Sequence, residues 1–266
     1  MQSRVTAGLY IVGTPIGNLG DMTPRGIDTL AAVDLILCED TRVTGKLLHH
    51  FGIKAKMEAF ADYNESEKLA AVLELLREKA VALVSDSGMP TISDPGFKLV
   101  RAARENDISV FVVPGATALT AALVLSGFPT DRFSFLGFFK SEAALKEDNR
   151  LRHTLIYYES PSRIMDTLGV LSKVCPEREV AIVREITKLH EEAIIGYPAD
   201  LMGIEPPRGE IVLVIAPAPD VKMTDGEITE IVKSIAGMST RDAADVLAAQ
   251  AGMSKKDAYK RILNNE

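Results

Sequence analysis

The chain has 266 residues, 47% of them apolar and 25% charged, which is typical of a soluble globular protein and unlike disordered or fibrous chains. Its 30 basic and 37 acidic side chains give a net charge of −7, which argues against nucleic-acid binding through an overall basic surface. Two cysteines, Cys38 and Cys175, are too few for a four-cysteine zinc site and are expected to be buried and reduced.

The first half of the chain alternates short apolar runs with helical patterns. The predicted strands cover residues 9–12, 34–38, 81–84 and 110–113. The predicted helices cover residues 24–32, 65–79, a segment that opens at Asp94-Pro95, and residues 116–125. Thr23 and Asn64 are the predicted N-caps of the first two helices. This alternation predicts a parallel sheet with helices on both faces.

After the break at residues 126–130 the pattern is again α/β, with strands closer together and more mixed in direction. The predicted strands are 154–158, 179–186, 193–196 and 210–216, with a helix over 161–174. A Pro-rich linker then precedes helices over 225–236, 241–251 (capped by Thr240, stopped by Gly252) and 255–263 (capped by Ser254). We therefore expect three domains: an N-terminal α/β domain (1–128), a C-terminal α/β domain (129–219) and a helix-turn-helix-like tail (220–266).

Candidate chemistry lies where the strands of the first half end. These strands run into the glycine-rich segment 13–21, the charged segment 39–42, the turn 85–90 and the turn 114–118. Because the carboxyl ends of parallel strands share one edge of a sheet, we expect these segments to form a ligand cleft. The glycine spacing matches neither a dinucleotide fingerprint nor a phosphate loop. Histidine and cysteine spacing predicts no metal site, and no Gly-x-Ser-x-Gly elbow is present.

We find no signal peptide at the amino terminus and no apolar stretch of the roughly 18 residues that a membrane span needs. A cytoplasmic protein without a membrane partner is the expectation.

The segments at the strand ends resemble a known family. They read GTPIGNLGD at 13–21, EDTR at 39–42, SDSGMP at 85–90, SDPG at 93–96 and PG at 114–115. The second half carries YESP at 158–161 followed by Arg163, REITKLHEE at 184–192 and GEIVLVI at 209–215. Together they resemble the tetrapyrrole methylase superfamily and, within it, the family of ribosomal RNA small subunit methyltransferase I. The match extends over residues 8–216.

This resemblance implies two α/β domains with S-adenosylmethionine in the cleft between them, and a small helical C-terminal domain. It implies methyl transfer to the ribose 2′-hydroxyl of a cytidine in the decoding region of 16S ribosomal RNA, in the small ribosomal subunit, by a homodimer. The family often has Leu-Pro where this chain has Phe138-Phe139, and His where it has Ser162.

The resemblance also suggests roles for individual residues. The implied cofactor contacts are Pro15, Asp86, Gly88, Met89, Thr117, Ala118, Tyr158 and Pro207. Candidates for a general base are Glu39, Asp40 and His190. Candidates for RNA contact are Asn18, Arg25, Arg42, Arg163 and Lys188, together with Lys255, Lys256, Lys260 and Arg261 of the basic last helix. Each of these charges could instead form a local salt bridge, as Arg42 could with Asp40.

Two other functions remain open from the sequence. A methyltransferase acting on a tetrapyrrole such as a precorrin would share the fold and the cofactor. A DNA-binding regulator, using the helical tail as its reader and the two α/β domains as a ligand sensor, would be no enzyme at all.

Overall fold

Two five-stranded sheets, one after the other along the chain, organise the first of two compact units, Met1–Pro217. The second unit, Ala218–Glu266, contains helices. The structure is a computed structural model that describes residues 5–219, 225–251 and 253–263. Within this part of the chain, no helix is long and apolar enough to cross a membrane.

The first sheet is parallel throughout, as the sequence predicted. Its strands are β1 (Gly8–Val12), β2 (Leu35–Cys38), β3 (Met57–Ala59), β4 (Ala80–Val84) and β5 (Val110–Val113). They lie in the order β3-β2-β4-β1-β5. The accompanying helices are α1 (Pro24–Ala32), α2 (Thr41–His50), α3 (Asp62–Glu78), α4 (Phe97–Glu105) and α5 (Ala118–Ser126). Strands β1 and β4 are fully buried because apolar clusters cover both faces of the sheet.

The second sheet is mixed, also as expected. Its strands are β6 (Phe133–Phe138), β7 (Thr154–Glu159), β8 (Val180–Arg184), β9 (Glu192–Gly196) and β10 (Ile211–Ile215). Their order is β6-β7-β10-β8-β9, parallel for β6 and β7 and antiparallel elsewhere. The helices here are α6 (Glu142–Asp148), α7 (Ile164–Val174) and α8 (Pro198–Leu201).

Helix α5 connects the two sheets. Leu119 and Leu123 of this helix share an apolar cluster with Ile156, Val183 and Val214, which belong to three strands of the second sheet. Burial of these side chains couples the two halves of the first unit. The proposed boundary between α/β domains at residue 128, two residues after α5, stays a prediction.

Several predicted boundaries were wrong. Helix α3 begins at Asp62, so Asn64 lies inside it and is not its N-cap. Helix α4 begins at Phe97 rather than at Asp94-Pro95, because Gly96 adopts a left-handed φ of 115° just before it. Strands β3 and β6 were not predicted: β3 has three residues, and β6 is irregular at Gly137 (φ 72°).

Arg178 is a fully buried cation that connects three chain segments. Its guanidinium donates to the carbonyls of Ala216 (2.7 Å), His153 (2.7 Å) and Leu151 (3.2 Å), and to Oδ1 of Asn149 (2.8 Å). Burial lowers its pKa below the ordinary arginine value. These bonds tie the segments before β7 and after β10 to the start of β8.

The second unit contains helices α9 (Asp225–Ser234), α10 (Thr240–Ala251) and α11 (Lys255–Leu263). Leu247, Ala258 and Ile262 lie in their shared apolar core. Ser254 caps α11 as predicted, since its Oγ accepts from the Asp257 amide at 3.1 Å. Thr240 is the first residue of α10 and not its cap; Ser239 fills that role. The predicted stop at Gly252 lies outside the described residues.

Candidate active site

The ends of the first sheet's strands lie together, as predicted. The amide of Thr14, after β1, donates to the carbonyl of Gly88, after β4, at 2.9 Å. The amide of Asp40, after β2, donates to Oδ1 of Asp86 at 3.2 Å. These bonds connect three of the four segments that sequence patterns singled out, and close packing brings in the fourth.

That packing depends on two glycines. A Cβ on Gly13 would lie 2.7 Å from the backbone of Gly115, and a Cβ on Gly115 would lie 2.8 Å from the backbone of Gly13. A Cβ essentially never lies so close to a non-bonded atom. The ends of β1 and β5 can therefore touch only because both residues lack a side chain. Glycine is required here for approach and not for a positive φ.

A cavity of about 670 Å³, the cleft cavity, opens beside these segments. Residues from both halves of the first unit line it: Ile16, 87–89, 92–94, 117 and 118 from the first half, and 138, 158–161, 185, 186, 188 and 209–212 from the second. This size is that of a typical small-molecule site. The sequence therefore anticipated correctly that both halves would share one cleft.

One wall of the cleft cavity is aromatic. Tyr158 on β7 contacts Phe135 and Phe138 edge to face, with ring centroids 4.8 and 5.5 Å away. Phe138 reaches this wall because the register of β6 against β7 shifts between Phe135 and Phe138. Burial, with a smaller contribution from Asp94, raises the pKa of the Tyr158 phenol. Tyr158 is therefore a neutral ring at physiological pH.

A cation held between two carboxylates lies at another part of the lining. Nζ of Lys188 is 3.0 Å from Oε1 of Glu185 and 3.0 Å from Oε2 of Glu210. Burial alone would lower the pKa of Lys188, but the hydrogen bonds that its ammonium donates to Glu210 and Glu185 outweigh burial and raise the pKa. The same bond lowers the pKa of Glu185. Lys188 and Glu185 therefore stay ionised at neutral pH.

Lys188 also reaches across to the first half of the chain. A Cβ on Gly17 would lie 2.8 Å from Cγ of Lys188 and 3.0 Å from the carbonyl of Ile186. The glycine-rich segment 13–21 therefore packs directly on the turn that carries Lys188. Two residues of that turn, Glu185 (φ 50°) and Thr187 (φ 66°), adopt left-handed backbone conformations that are unusual for residues other than glycine.

A second cavity of about 530 Å³, the strand-end cavity, is more polar. Its lining includes Glu39, Asp40, Arg42 and Asp86. Nε of Arg42 donates to both carboxylate oxygens of Asp40, at 3.0 and 3.1 Å. These bonds hold the pKa of Asp40 at about 2, whereas burial raises the pKa of Asp86. A carboxylate with so low a pKa is a weak base, so Asp40 is better suited to orienting Arg42 than to accepting a proton.

The structure distributes the predicted cofactor residues unevenly. Gly88, Met89, Thr117, Ala118 and Tyr158 line the cleft cavity. The other three, Pro15, Asp86 and Pro207, are not among its lining residues.

The predicted base candidates do not converge on one cavity. Glu39 and Asp40 line the strand-end cavity, whereas His190 is exposed and lines neither cavity.

Most of the predicted RNA-contacting residues already have partners. Arg25 donates to the carbonyl of Val112 at 3.2 Å, and Oδ1 of Asn18 accepts from the amide of Gly20 at 2.9 Å. Arg163 pairs with the buried Glu159 at 2.7 Å. The half-exposed guanidinium of Arg163 nevertheless remains accessible to solvent.

Sequence reasoning assigned no role to most of the lining residues, among them Ile92, Asp94, Glu159 and Glu210. All four lie in or beside quoted motifs, SDPG, YESP and GEIVLVI, so the motifs themselves were the available signal. No group of three or more His, Cys, Asp or Glu residues within the described ranges could hold a metal ion.

Comparisons with known proteins agree with this geometry. The sequence profile of the tetrapyrrole (corrin/porphyrin) methylases matches residues 8–201. The chain belongs to this methylase family. A relative from Erythrobacter litoralis, named ribosomal RNA small subunit methyltransferase I, is 43% identical over 268 residues, covering 97% of this chain and 95% of its own length. The relative of that name from Thermotoga maritima is 43% identical over 219 residues, 78% of this chain and 97% of its own length.

Among solved structures, a diphthine synthase superposes with a TM-score of 0.63 over 79% of this methylase and 89% of that chain, at 13% identity, which shows the fold alone. Family membership makes the protein an enzyme, an S-adenosylmethionine-dependent methyltransferase that groups with the relatives named ribosomal RNA small subunit methyltransferase I.

The cleft cavity suits that cofactor chemically. Its apolar and aromatic lining can hold an adenine ring and a methionine chain, and its carboxylates favour a molecule that carries a sulfonium and an ammonium group. Gly88 (φ 84°) brings backbone to the cavity where a Cβ would press on Ile16 at 3.1 Å. Because Gly88 has no side chain, its backbone N–H and C=O groups can approach a bound ligand closely.

Proposed function

We propose that this methylase transfers a methyl group to the ribose 2′-hydroxyl of a cytidine in the decoding region of 16S ribosomal RNA, within the small ribosomal subunit. The observation that carries the proposal is the identity of about 40% over nearly the whole chain with relatives named ribosomal RNA small subunit methyltransferase I. Action on ribosomal subunits would place the protein in the cytoplasm.

The cleft cavity supports this proposal as the place of reaction. S-adenosylmethionine supplies a methyl group that its sulfonium has already activated. The chain's part is to hold reactants in line and to exclude water, and alignment of this kind can contribute roughly 7–11 kcal/mol to catalysis. Tyr158, Met89 and the backbone at residues 117 and 118 would position the cofactor. Gly88 is proposed to do the same through its backbone, with Pro15, Asp86 and Pro207 supporting the loops around it.

RNA would be held by cations around the same cleft. We propose that Lys188 contacts phosphate or ribose at the cleft cavity, and that Arg163, Arg25, Arg42 and Asn18 do so nearby. Lys188 suits the role because Glu185 and Glu210 orient its ammonium. Among the base candidates, the low pKa of Asp40 favours Glu39 or His190 as the group that accepts the hydroxyl proton.

We further propose a homodimer. Large apolar side chains are exposed on edge strand β5 (Phe111 39%, Val112 54%) and on helix α5 (Val124 73%, Leu125 38%). An exposed strand edge and exposed apolar surface commonly mark contacts between chains. Light scattering after size exclusion should give twice the mass of one chain, and Val124→Glu should shift the protein toward monomer. A wild-type monomer at micromolar concentration would contradict this assembly.

Methyl transfer to isolated small ribosomal subunits tests the function. Subunits from cells that lack the modification are incubated with the enzyme and methyl-labelled S-adenosylmethionine, and the RNA is digested to nucleosides. We expect label in 2′-O-methylcytidine from the decoding region. Label in a base, or in a precorrin offered instead, would overturn the proposal. No transfer, together with specific DNA binding, would favour a regulator.

A further inference from the structure

The helical unit presents a rigid basic surface. Helices α10 and α11 begin in the same way: Ser239 and Ser254 accept from the amides of Asp242 (3.2 Å) and Asp257 (3.1 Å) and donate back to those carboxylates. Such reciprocal caps fix the first turn of a helix. Arg241 and Lys256 occupy equivalent positions, two residues after each cap. The caps therefore fix the backbone from which both cationic side chains extend.

A shallow cavity of about 510 Å³, the tail groove, lies among these first turns. Its lining residues are Arg241, Ala244, Asp245, Lys255, Lys256, Tyr259 and Lys260. Four of the seven are cationic and one is anionic. Nζ of Lys255 lies 2.8 Å from Oδ1 of Asp245, so that carboxylate is already engaged.

The remaining cations lack a carboxylate partner among the described residues: no ion pair within 4.0 Å forms at Arg241, Lys256 or Lys260. An excess of positive charge collected in one groove contrasts with the net charge of −7 of the whole chain. Like charges repel, so clustering them costs free energy that a bound anion would recover.

An exposed aromatic ring lies among these cations. Tyr259 is 44% exposed and lines the groove, while its helix neighbours Ala258 and Ile262 are buried in the core of the unit. Cations that follow a phosphate backbone, combined with an aromatic face on which a base can stack, are the usual chemistry of single-stranded nucleic-acid binding.

We propose that the tail groove binds the sugar–phosphate backbone of the RNA substrate, with a base stacked on Tyr259. The identity of the RNA rests on the proposed function; the charge and shape of the groove do not. The predicted contribution of Lys255, Lys256, Lys260 and Arg261 is thereby extended to Arg241 and Tyr259, which sequence reasoning missed. Arg241 belongs to a different helix, and only the fold brings it beside α11.

The groove should add affinity rather than chemistry. The groove residues belong to the second compact unit, and none of them lines the cleft cavity. We therefore expect changes in the groove to raise KM for RNA and to leave kcat unchanged.

The test compares full-length variants with the wild-type protein. The first carries Arg241→Ala, Lys256→Ala and Lys260→Ala together. The matched control, Lys233→Ala, removes an exposed cation of α9 that pairs with Glu230 and lies outside the groove. Circular dichroism should show that both remain folded, since all four side chains are exposed.

Fluorescence anisotropy with a fluorescein-labelled 30-nucleotide RNA of mixed sequence measures binding from 50 to 300 mM KCl. Three lost phosphate contacts should reduce the slope of log affinity against log salt by about 2 and weaken binding at least tenfold at the lowest salt. Tyr259→Leu should weaken binding about tenfold with an unchanged salt slope. The control should stay within twofold of wild type.

Kinetics on small ribosomal subunits separate the two proposals. The triple variant should show a raised KM and a kcat within twofold of wild type. An unchanged salt slope and affinity in that variant would overturn the tail groove, and a lost kcat at saturating subunits would overturn its accessory role. If wild-type protein fails to methylate subunits, the proposed function fails, while the anisotropy still decides on the groove. Tighter binding of duplex DNA than of RNA in competition would overturn RNA as the ligand.

Discussion

Replacing Gly13 with alanine tests whether the contact between the ends of β1 and β5 supports the cleft cavity. The new Cβ would lie 2.7 Å from Cα and N of Gly115 and 2.6 Å from Sδ of Met89. The backbone of Gly13 is not in the left-handed region, so alanine meets only a steric obstacle. Met89 can rotate away, but the backbone of Gly115 cannot.

The magnitude follows from what must move. Ordinary contact requires about 0.7 Å more space at Gly115. Two hydrogen bonds hold the segment there: Gly13 N to Val113 O at 3.0 Å and Thr14 N to Gly88 O at 2.9 Å. Overpacking costs roughly 1–3 kcal/mol, and weakening these bonds adds about 1 kcal/mol. We expect the free energy of unfolding to fall by about 2–4 kcal/mol.

Urea unfolding followed by circular dichroism measures this loss, and calorimetry measures S-adenosylmethionine affinity. Met89 lines the cleft cavity, so its displacement should weaken cofactor binding about tenfold or more. Gly169→Ala is the matched control: Gly169 lies in α7, and a Cβ there would meet no atom within 4 Å. Alanine at this position should stabilise the protein by about 0.5–1 kcal/mol.

Both variants replace glycine with alanine, but Gly13→Ala should lower the free energy of unfolding and Gly169→Ala should raise it. If Gly13→Ala unfolds within about 0.5 kcal/mol of wild type and binds the cofactor equally well, the strand ends are not closely packed, and the reasoning from Cβ distances is refuted.

Three further outcomes are expected. Arg178→Met should lower the free energy of unfolding by about 3 kcal/mol in urea titrations, because buried carbonyls lose their hydrogen-bond donor. The control Arg150→Met, on the surface, should change it by less than about 0.5 kcal/mol, and equal effects of the two variants would contradict the anchoring role of Arg178. Burial raises the pKa of Cys175 to about 11 and that of Cys38 above its ordinary value, so neither thiol should react with Ellman's reagent at pH 8 until urea unfolds the chain; rapid labelling of folded protein would disprove this. Lys188→Met should raise KM for small subunits roughly fivefold in initial-rate measurements and leave S-adenosylmethionine affinity, measured by calorimetry, within twofold of wild type. A loss of cofactor affinity instead would show that Lys188 contacts the cofactor and not the RNA.

Sequence reasoning was most successful where a local pattern had one physical solution. Thr23 followed by Pro24 predicted the start of α1, and continuous apolar runs predicted β1, β4 and β5 within one residue. It failed at short or interrupted elements. Strand β6 contains Gly137 and pairs irregularly, so its residues show no regular alternation.

The site shows the same division. Motifs at the ends of parallel strands identified a cleft, and four of the cofactor residues predicted there, Gly88, Met89, Thr117 and Ala118, line the cleft cavity, as does Tyr158 of the second sheet. The pairing of Lys188 with both Glu185 and Glu210 was not predictable, because Glu210 lies 22 residues further along the chain, just before β10. Likewise, nothing in the sequence places Arg241 beside Lys256.

By itself, the sequence determined the family, the parallel first sheet, the mixed second sheet and the use of strand ends as the site. These features follow from apolar periodicity, caps and short motifs, which act over a few residues. Only the tertiary structure decided which charges meet. It separated Asp40 and Asp86 from Lys188 by placing them in different cavities, and it collected four cations and a tyrosine in the tail groove. Electrostatic interactions depend on distance in space and on burial, and a linear pattern specifies neither.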